Sequence, residues 1–224
     1  MQTPPAFGKQ TYYVERTARV VPGVRDMHRM AGVLLAERVP DGGRVLVLGA
    51  GGGMELRALA EMHPSWRFDG VDPSADMLDI ARETLGPACD RVTFHEGMIE
   101  TAPPGPFDGA TCLLTLHFLT EVDRVRTVSE IHSRLAPGAP LVVAHHSFPT
   151  SDAEKEKWLT RFARYSQAAL SGTGWGGIDV PAMKDRLPVL SPAQDEAVLH
   201  RGGFRHVELF YAALSFRGWI AFKE

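Results

Sequence analysis

The sequence predicts an α/β fold with a mixed sheet of seven strands, an antiparallel last strand and helices on both faces. Three observations favour this fold. Short apolar runs alternate with amphipathic stretches, as in βα units around a mostly parallel sheet. Glycines cluster directly after the first apolar run, where a strand would turn into a helix. The last two apolar runs are close enough in sequence to pair as antiparallel neighbours at a sheet edge.

Seven apolar runs predict the strands. They are RVLVLG (44–49), FDGVD (68–72), VTFHEG (92–97), GATCLLTL (109–116), PLVVAHH (140–146), HVELFYAAL (206–214) and FRGWIAFK (216–223).

Amphipathic stretches predict the helices. They cover 54–63, 74–86, 121–138 and 151–170, with an N-terminal helix over 12–39 and a short helix before the last two strands. Ser74 is the expected N-cap of the second of these helices, and Gly86 its terminator. We expect a break in the N-terminal helix at Pro22–Gly23. The stretch 171–192 is rich in Gly and Pro.

Length and composition limit the class of protein. The 224 residues suit one α/β domain, and 44% hydrophobic with 23% charged residues is typical of a globular protein. A net charge of −3 gives no basic field, so nucleic acid is an unlikely partner. Cys89 and Cys112 lack metal-ligand spacing and predict free thiols and no metal site. The start has no signal-like apolar region and no stretch approaches a membrane span, so we expect a soluble, cytoplasmic protein.

The glycine cluster predicts a ligand site. Gly49, Gly51 and Gly53 would let the chain turn sharply and let a ligand lie against bare backbone amides. Asp72, at the end of the second predicted strand, has the spacing of an acid that accepts hydrogen bonds from ribose hydroxyls. Together these residues predict a nucleoside-containing cofactor. The alternative is a turn with a purely structural role.

The glycine spacing separates two cofactor classes. The dinucleotide fingerprint G-x-G-x-x-G would need glycine where Met54 stands, and no Tyr-x-x-x-Lys pair of a short-chain dehydrogenase is present. The spacing G-x-G-x-G is instead similar to the first motif of class I S-adenosylmethionine-dependent methyltransferases, which have a Rossmann-like fold. A nicotinamide-dependent dehydrogenase stays the alternative at this point.

The resemblance to these methyltransferases extends along almost the whole chain. GVDPSADMLDIAR resembles their second motif, FHEGMIE the third, FDGATCLLTLHFL the fourth, and RLAPGAPLVVAHHS their turn and fifth strand. The resemblance implies S-adenosyl-L-methionine as cofactor, bound by Arg19, Gly49, Ala50, Gly51, Gly53, Asp72, Pro73, Met77, Met98, Ile99, Leu113 and Leu114. Arg19 would bind the methionine carboxylate. The implied organisation is an N-terminal helical lid over 1–40, a methyltransferase domain over 41–224 and a lid insertion around 151–192.

Two departures from the family pattern concern cofactor affinity. Val47 stands where the superfamily usually has Asp or Glu, and Met98 replaces an Asp that contacts the adenine amine. Two lost acceptors would weaken binding by about 1 kcal/mol each. A non-catalytic cofactor-binding protein is therefore an open alternative.

Both ends of the chain resemble a narrower group, the tRNA uridine carboxymethyltransferases that use carboxy-S-adenosylmethionine. That group has Tyr and Arg, which touch the extra carboxylate, where this chain has Val24 and Val198. Because a buried carboxylate needs a partner, we expect unmodified S-adenosylmethionine here. His200 would compensate only if protonated.

Three histidines at strand ends are the candidate acceptor-side residues, namely His117, His145 and His146. Imidazole titrates near neutral pH, so each is a candidate base or acceptor ligand. The alternative for each histidine is a structural role, in which its side chain forms a hydrogen bond with the backbone. Trp175 would either close over a substrate or anchor its loop, and His28 is expected to be a solvated or cap-like helix residue.

The expected function is methyl transfer to a small-molecule acceptor, and a homodimer is possible. The alternatives are a tRNA-modifying enzyme and a non-catalytic binding protein.

Overall fold

The computed structural model describes residues 9–224, and its centre is one seven-stranded sheet in the order β3-β2-β1-β4-β5-β7-β6. The strands are β1 (Arg44–Leu48), β2 (Arg67–Asp72), β3 (Val92–Glu96), β4 (Gly109–Leu113), β5 (Pro140–His146), β6 (Arg205–Ala213) and β7 (Phe216–Phe222). The first five strands pair parallel, and β7 is antiparallel to both β5 and β6. The predicted mixed sheet with an antiparallel last strand is confirmed.

Eight α-helices surround the sheet within the described part of the chain. They are α1 (Lys9–Val20), α2 (Val24–Ala36), α3 (Met54–Met62), α4 (Ala75–Leu85), α5 (Glu121–Arg134), α6 (Asp152–Ala169), α7 (Val180–Arg186) and α8 (Pro192–Arg201). None of the helices in residues 9–224 has the length and apolar character needed to cross a membrane.

Alternate residues of β1 face two different helical layers, as the two-residue period of a strand requires. Val45 and Val47 lie in a core with α2 and α3, whereas Leu46 and Leu48 lie in a core with α5 and α8. The sheet is therefore buried on both faces.

The local signals for helix ends are confirmed. Ser74 accepts a hydrogen bond from the backbone N of Met77 at 3.3 Å, and Gly86 ends α4 with a positive φ of 53°. The N-terminal helix breaks where expected, with Gly23 at φ 64° between α1 and α2.

Helix α2 is part of the main core. Met27, Ala31 and Leu35 on one of its faces are fully buried. The Tyr211 hydroxyl also donates to the Pro22 carbonyl, which ties the α1–α2 junction to β6. Helix α2 is thus a core element, whereas most residues of α1 are half-buried. The domain boundary near residue 40 and the insertion around 151–192 stay predictions.

Several elements differ from the predictions; helix α5, for example, ends at Arg134 instead of 138, because Leu135 is extended at ψ 151°. Strand β4 ends at Leu113 instead of 116, because Leu114 is in the left-handed region at φ 57° and residues 116–118 form a 3₁₀ turn. Helix α7 lies in the Gly- and Pro-rich stretch, where no helix was predicted. Its start has ordinary signals, since Asp179 caps it by accepting from Ala182 N at 3.1 Å and a proline occupies the first turn.

Candidate functional site

The loop between β1 and α3 is held against the end of β2. The backbone N–H groups of Gly49 and Ala50 donate to the carbonyl of Val71 at 2.8 and 3.0 Å. This places the glycine loop at the carboxyl edge of the sheet, where open α/β sheets bind ligands.

Asp72 connects this loop to the start of α4. Its Oδ2 accepts from the Gly51 N–H at 2.9 Å, and its Oδ1 accepts from the Ser74 N–H at 2.9 Å. The carboxylate is fixed by two backbone donors, and its remaining lone pairs are available to hydroxyls of a ligand.

Close approach explains two of the glycines. A Cβ on Gly51 would lie 2.6 Å from Asp72 Oδ2, and a Cβ on Gly53 would lie 2.8 Å from the backbone of Ala81. Gly53 also has a positive φ of 71°, which side chains rarely adopt. The cluster therefore allows the loop to pack against both the acid and α4.

A cavity of about 410 Å³, here called the cofactor cavity, opens beside this loop. Eleven of the twelve residues implied by the resemblance line it, namely Gly49, Ala50, Gly51, Gly53, Asp72, Pro73, Met77, Met98, Ile99, Leu113 and Leu114. The lining combines an acid for a ribose diol with apolar side chains for an adenine ring. These features fit S-adenosylmethionine, although the binding role of each residue stays a prediction.

Arg19 is the exception, because it is exposed and does not line the cavity. Tyr13 and Thr17, one turn apart on α1, are the residues of this helix that do. Arg19 lies two positions after Thr17 and is thus rotated by about 200° from that face. The expected contact between Arg19 and the methionine carboxylate is therefore not supported by its position.

The cofactor cavity also contains two ionisable residues that were not assigned to it from the sequence, His28 and Glu55. His28 was expected to be solvated, but it is buried, and burial lowers its pKa to about 4. It is therefore neutral at neutral pH. Among the described residues that line this cavity there is no Lys or Arg.

Val24 and Val198 occupy the two positions where the carboxymethyltransferases have their carboxylate-binding residues, but the two valines lie in different places. Val24 lines the cofactor cavity and is buried. Val198 is buried on α8 in the core shared with α5 and does not line the cavity. The expectation that Val198 faces the transferred group is therefore wrong, and of the two valines Val24 alone lines the cofactor cavity.

A second cavity of about 530 Å³, here called the acceptor cavity, adjoins the first. Tyr13, Leu114 and Phe118 line both cavities. The walls of the acceptor cavity are mostly apolar, and Arg16 and Arg186 are the cations among its lining residues. A molecule held there would face the cofactor cavity across the shared wall.

His117 and His146 line the acceptor cavity as neutral side chains. Burial lowers the pKa of His146 to about 3, with nearby His145 adding to the effect, and burial likewise lowers the pKa of His117 well below its usual value. The His146 N–H donates to His117 Nδ1 at 3.3 Å. This bond assigns the proton of neutral His117 to Nε2, which can donate a hydrogen bond to an acceptor molecule.

His145 lies on the other side of the sheet and lines neither cavity. Its Nε2 is 3.1 Å from Asp195 Oδ1, which also pairs with Arg124 Nη1 at 2.6 Å. Adjacent residues of β5 point to opposite faces, so His145 and His146 could not both reach the acceptor. The prediction of His145 as an acceptor-side catalytic residue is therefore wrong, since its side chain lies beside the buried Arg124–Asp195 ion pair.

Trp175 anchors its loop. Its ring packs edge-on against Tyr12 of α1, with 5.2 Å between the ring centroids, and it lines neither cavity. Nearby Gly177 and Ile178 do line the acceptor cavity. The contact with α1 thus positions one wall of that cavity.

Comparison with known proteins supports the assignment of the cofactor site. Residues 45–138, which span β1 to the end of α5, match a family described as a methyltransferase domain. The carboxy-S-adenosyl-L-methionine synthase of Chromohalobacter salexigens is 30% identical over 92% of this chain and 78% of its own length.

Solved structures share the fold. An O-methyltransferase family protein from Burkholderia thailandensis has a TM-score of 0.66 at 15% identity, over 93% of this chain and 58% of that one. Human N-acetylserotonin methyltransferase in complex with S-adenosylmethionine has a TM-score of 0.58 at 13% identity, over 99% of this chain and 60% of that one. The chain thus spans little more than half the length of these two enzymes.

The family match covers the glycine loop, Asp72 and the ends of β1, β2 and β4, which together form the cofactor cavity. The cofactor is therefore S-adenosylmethionine. The chain belongs to the class I S-adenosylmethionine-dependent methyltransferases, in the branch that contains the carboxy-S-adenosyl-L-methionine synthases.

Proposed function

We propose that this enzyme transfers a methyl group from unmodified S-adenosylmethionine to a small molecule in the acceptor cavity. The observation that carries the proposal is the shared wall of Tyr13, Leu114 and Phe118 between the two cavities. A cavity of about 530 Å³ is in the size range of small-molecule sites.

The bound cofactor supplies a methyl group on a positively charged sulfur, which a nucleophile can accept by in-line displacement without a metal. The protein's part is to position the acceptor and exclude water. Phe162, Phe216 and Leu187 provide apolar walls. His117 Nε2–H is a donor that can orient a polar atom of the acceptor.

The charges of the acceptor cavity favour an acidic acceptor. Arg16 on α1 and Arg186 at the end of α7 both line it, while Asp179 is its one carboxylate among the described lining residues. Guanidinium groups bind carboxylates with two parallel hydrogen bonds. We therefore expect an acceptor that combines an apolar or aromatic body with a carboxylate or a similar acidic group.

A second candidate is the synthesis of carboxy-S-adenosylmethionine, which the name of the C. salexigens relative favours. The cofactor cavity argues against it. The described residues that line this cavity include no Lys or Arg to pair with a carboxylate on the transferred carbon, while Val24 is apolar and His28 neutral. An unpaired buried carboxylate costs several kcal/mol, or more than a hundredfold in affinity.

The test is an assay with S-adenosylmethionine labelled at the methyl group. The purified protein is incubated with a panel of small aromatic and aliphatic acids and, separately, with bulk tRNA, and Asp72→Ala serves as the cofactor-site control. We expect label in a small acid and none with Asp72→Ala. Label in tRNA, a carboxymethylated product, or no transfer despite cofactor binding would each overturn the proposal.

A further inference from the structure

Glu55 is a buried acid that the methyl-transfer chemistry leaves without a role. It lies in the first turn of α3, directly after the glycine loop, with 8% of its surface exposed, and it lines the cofactor cavity. Its Oε1 has no hydrogen-bond partner among the described residues. A buried carboxyl oxygen without a partner is rare and requires an explanation.

The surroundings of Glu55 connect it with the unusual Val47. Thr111 of β4 is the neighbour of the Glu55 carboxyl, and Thr111 is also the register partner of Val47 on β1. The carboxyl thus lies next to the β1 position where related enzymes usually have an acid for the amino group of the cofactor. Val47 is apolar and fully buried, so it offers no acceptor.

We infer that Glu55 binds the α-ammonium group of S-adenosylmethionine as a carboxylate and so replaces the acid missing at Val47. Asp72 and Glu55 are the two carboxylates among the described residues that line the cavity. Both oxygens of Asp72 already accept backbone N–H groups at the β2 end. The remaining lone pairs of Asp72 are assigned to the ribose hydroxyls, so Glu55 is the carboxyl left for the positive charges of the cofactor's methionine part.

The inference predicts proton release on binding. Burial raises the pKa of Glu55 to about 8, with the Thr111 hydroxyl opposing the rise, so the free protein holds this proton at neutral pH. An ammonium beside the carboxyl favours the charged form and lowers its pKa. Binding therefore releases the proton to the solvent. Affinity should rise with pH below about pH 8 and level off above it.

Other groups around the cavity do not produce this dependence. His28 on α2 has a pKa of about 4, and burial raises the pKa of both Tyr13 on α1 and Cys112 on β4. Asp72 faces the cavity from the end of β2, held by its two N–H donors. Because a free α-amino group loses its proton near pH 7.7–8.0, measurements between about pH 5.5 and 7.5 isolate Glu55.

The experiment is titration calorimetry of S-adenosylhomocysteine in two buffers of different ionisation enthalpy. This ligand has the ammonium group but no sulfonium. For the wild type near pH 7 we expect release of close to one proton and an affinity that rises nearly tenfold per pH unit. Glu55→Gln should release none, show a flat pH profile and bind about tenfold more weakly near pH 7.5.

Glu61→Gln is the matched control, since Glu61 is an exposed acid on the same helix, paired with Arg57. It should behave as the wild type. Binding without proton release, or a Glu55→Gln profile like that of the wild type, would overturn the inference. If Glu55→Gln lost affinity for S-adenosylmethionine but not for S-adenosylhomocysteine, the inference would also be overturned, because Glu55 would then pair with the sulfonium and not with the ammonium group. The number of protons released is measured on the wild-type protein, so this result does not depend on the folding of any variant.

The inference rests on the cofactor and is independent of the acceptor. If wild-type protein binds the ligand with proton release but methylates none of the tested acids, Glu55 keeps its role and the acceptor proposal fails. If the wild type does not bind the ligand, the cofactor assignment fails together with the role of Glu55.

Discussion

The two cavities are built in different ways. The cofactor cavity is formed largely by loops that follow β1, β2 and β4, and backbone hydrogen bonds fix its glycine loop. The walls of the acceptor cavity come from α1, α6, α7, β5 and β7, which are far apart in the sequence. Loops that directly follow strands can be recognised by short sequence motifs, whereas a site formed by the packing of distant segments has no such motif.

The two cavities also differ in charge. Asp72 and Glu55 line the cofactor cavity, and Arg16 and Arg186 line the acceptor cavity. This division suits a cationic donor beside an acidic acceptor. Variants in one cavity test whether binding there can be changed without changing binding in the other.

The largest expected effect is on stability, through Arg124. This fully buried side chain pairs with Asp195 and donates to the Pro188 carbonyl at 2.7 Å, near the end of the segment that lines the acceptor cavity. Arg124→Met removes the cationic partner of the buried Asp195 carboxylate and leaves only His145 beside it, which should lower the free energy of unfolding by about 3–5 kcal/mol. Urea unfolding measures the loss, and S-adenosylhomocysteine affinity should not change.

Arg126→Met on the same helix is the control, because Arg126 is exposed and pairs with Glu100 at the surface. A surface pair is worth about 0–1 kcal/mol. Equal losses for the two variants would show that the buried network has no special role.

The next largest effect is on cofactor affinity. Asp72→Ala removes the predicted acceptor for ribose hydroxyls and the partner of the Gly51 and Ser74 N–H groups. We expect binding of S-adenosylhomocysteine to weaken by about 3 kcal/mol, roughly a hundredfold. Calorimetry measures it, with Asp79→Ala as the control, since exposed Asp79 pairs with Arg82. Comparable affinity of Asp72→Ala and the wild type would remove Asp72 from the site.

A smaller effect separates backbone strain from close packing. Gly53 and Gly138 both have positive φ, at 71° and 77°, but a Cβ would meet the Ala81 backbone only at Gly53 and nothing within 4 Å at Gly138. Both alanine variants suffer the same strain, so Gly53→Ala should lose about 2 kcal/mol more stability than Gly138→Ala. Thermal unfolding compares them, and equal losses would show that the loop has room to move away from α4.

The smallest predicted effect concerns the acceptor alone. Arg186→Ala should raise KM for an acidic acceptor by about tenfold, equivalent to about 1.4 kcal/mol, without changing cofactor affinity. Lys184→Ala is the control on the same helix, since Lys184 pairs with Glu156 and does not line the cavity. Steady-state kinetics with the acid found in the acceptor screen test this. An unchanged KM would mean that Arg186 does not bind the acceptor.

The sequence predicted the local features of the fold and the cofactor cavity. The seven strands, the caps at Ser74 and Gly86 and the break at Gly23 depend on signals within a few residues, and all were confirmed. Helix α7 was not predicted because it is short and lies among Gly and Pro residues that are typical of loops, although Asp179 is an ordinary N-cap.

The face of a strand or helix on which a given side chain lies was harder to predict. His145 and His146 are adjacent, and strand alternation separates them, but the sequence does not say which face holds the acceptor. The sequence likewise does not say that Arg19 of α1 is exposed and away from the cofactor cavity. Glu55 resembles any helical Glu, although its i,i+4 spacing to buried Leu59 was an available signal for the buried face.

The most direct test of the central claim is mass spectrometry of the ligand that copurifies with the protein. The claim is that a cofactor cavity lined by Glu55, Asp72, Val24 and neutral His28 takes the unmodified, cationic methyl donor. We predict S-adenosylmethionine or its product S-adenosylhomocysteine as the bound species. Recovery of carboxy-S-adenosylmethionine would contradict the account and favour the reaction for which the relative is named.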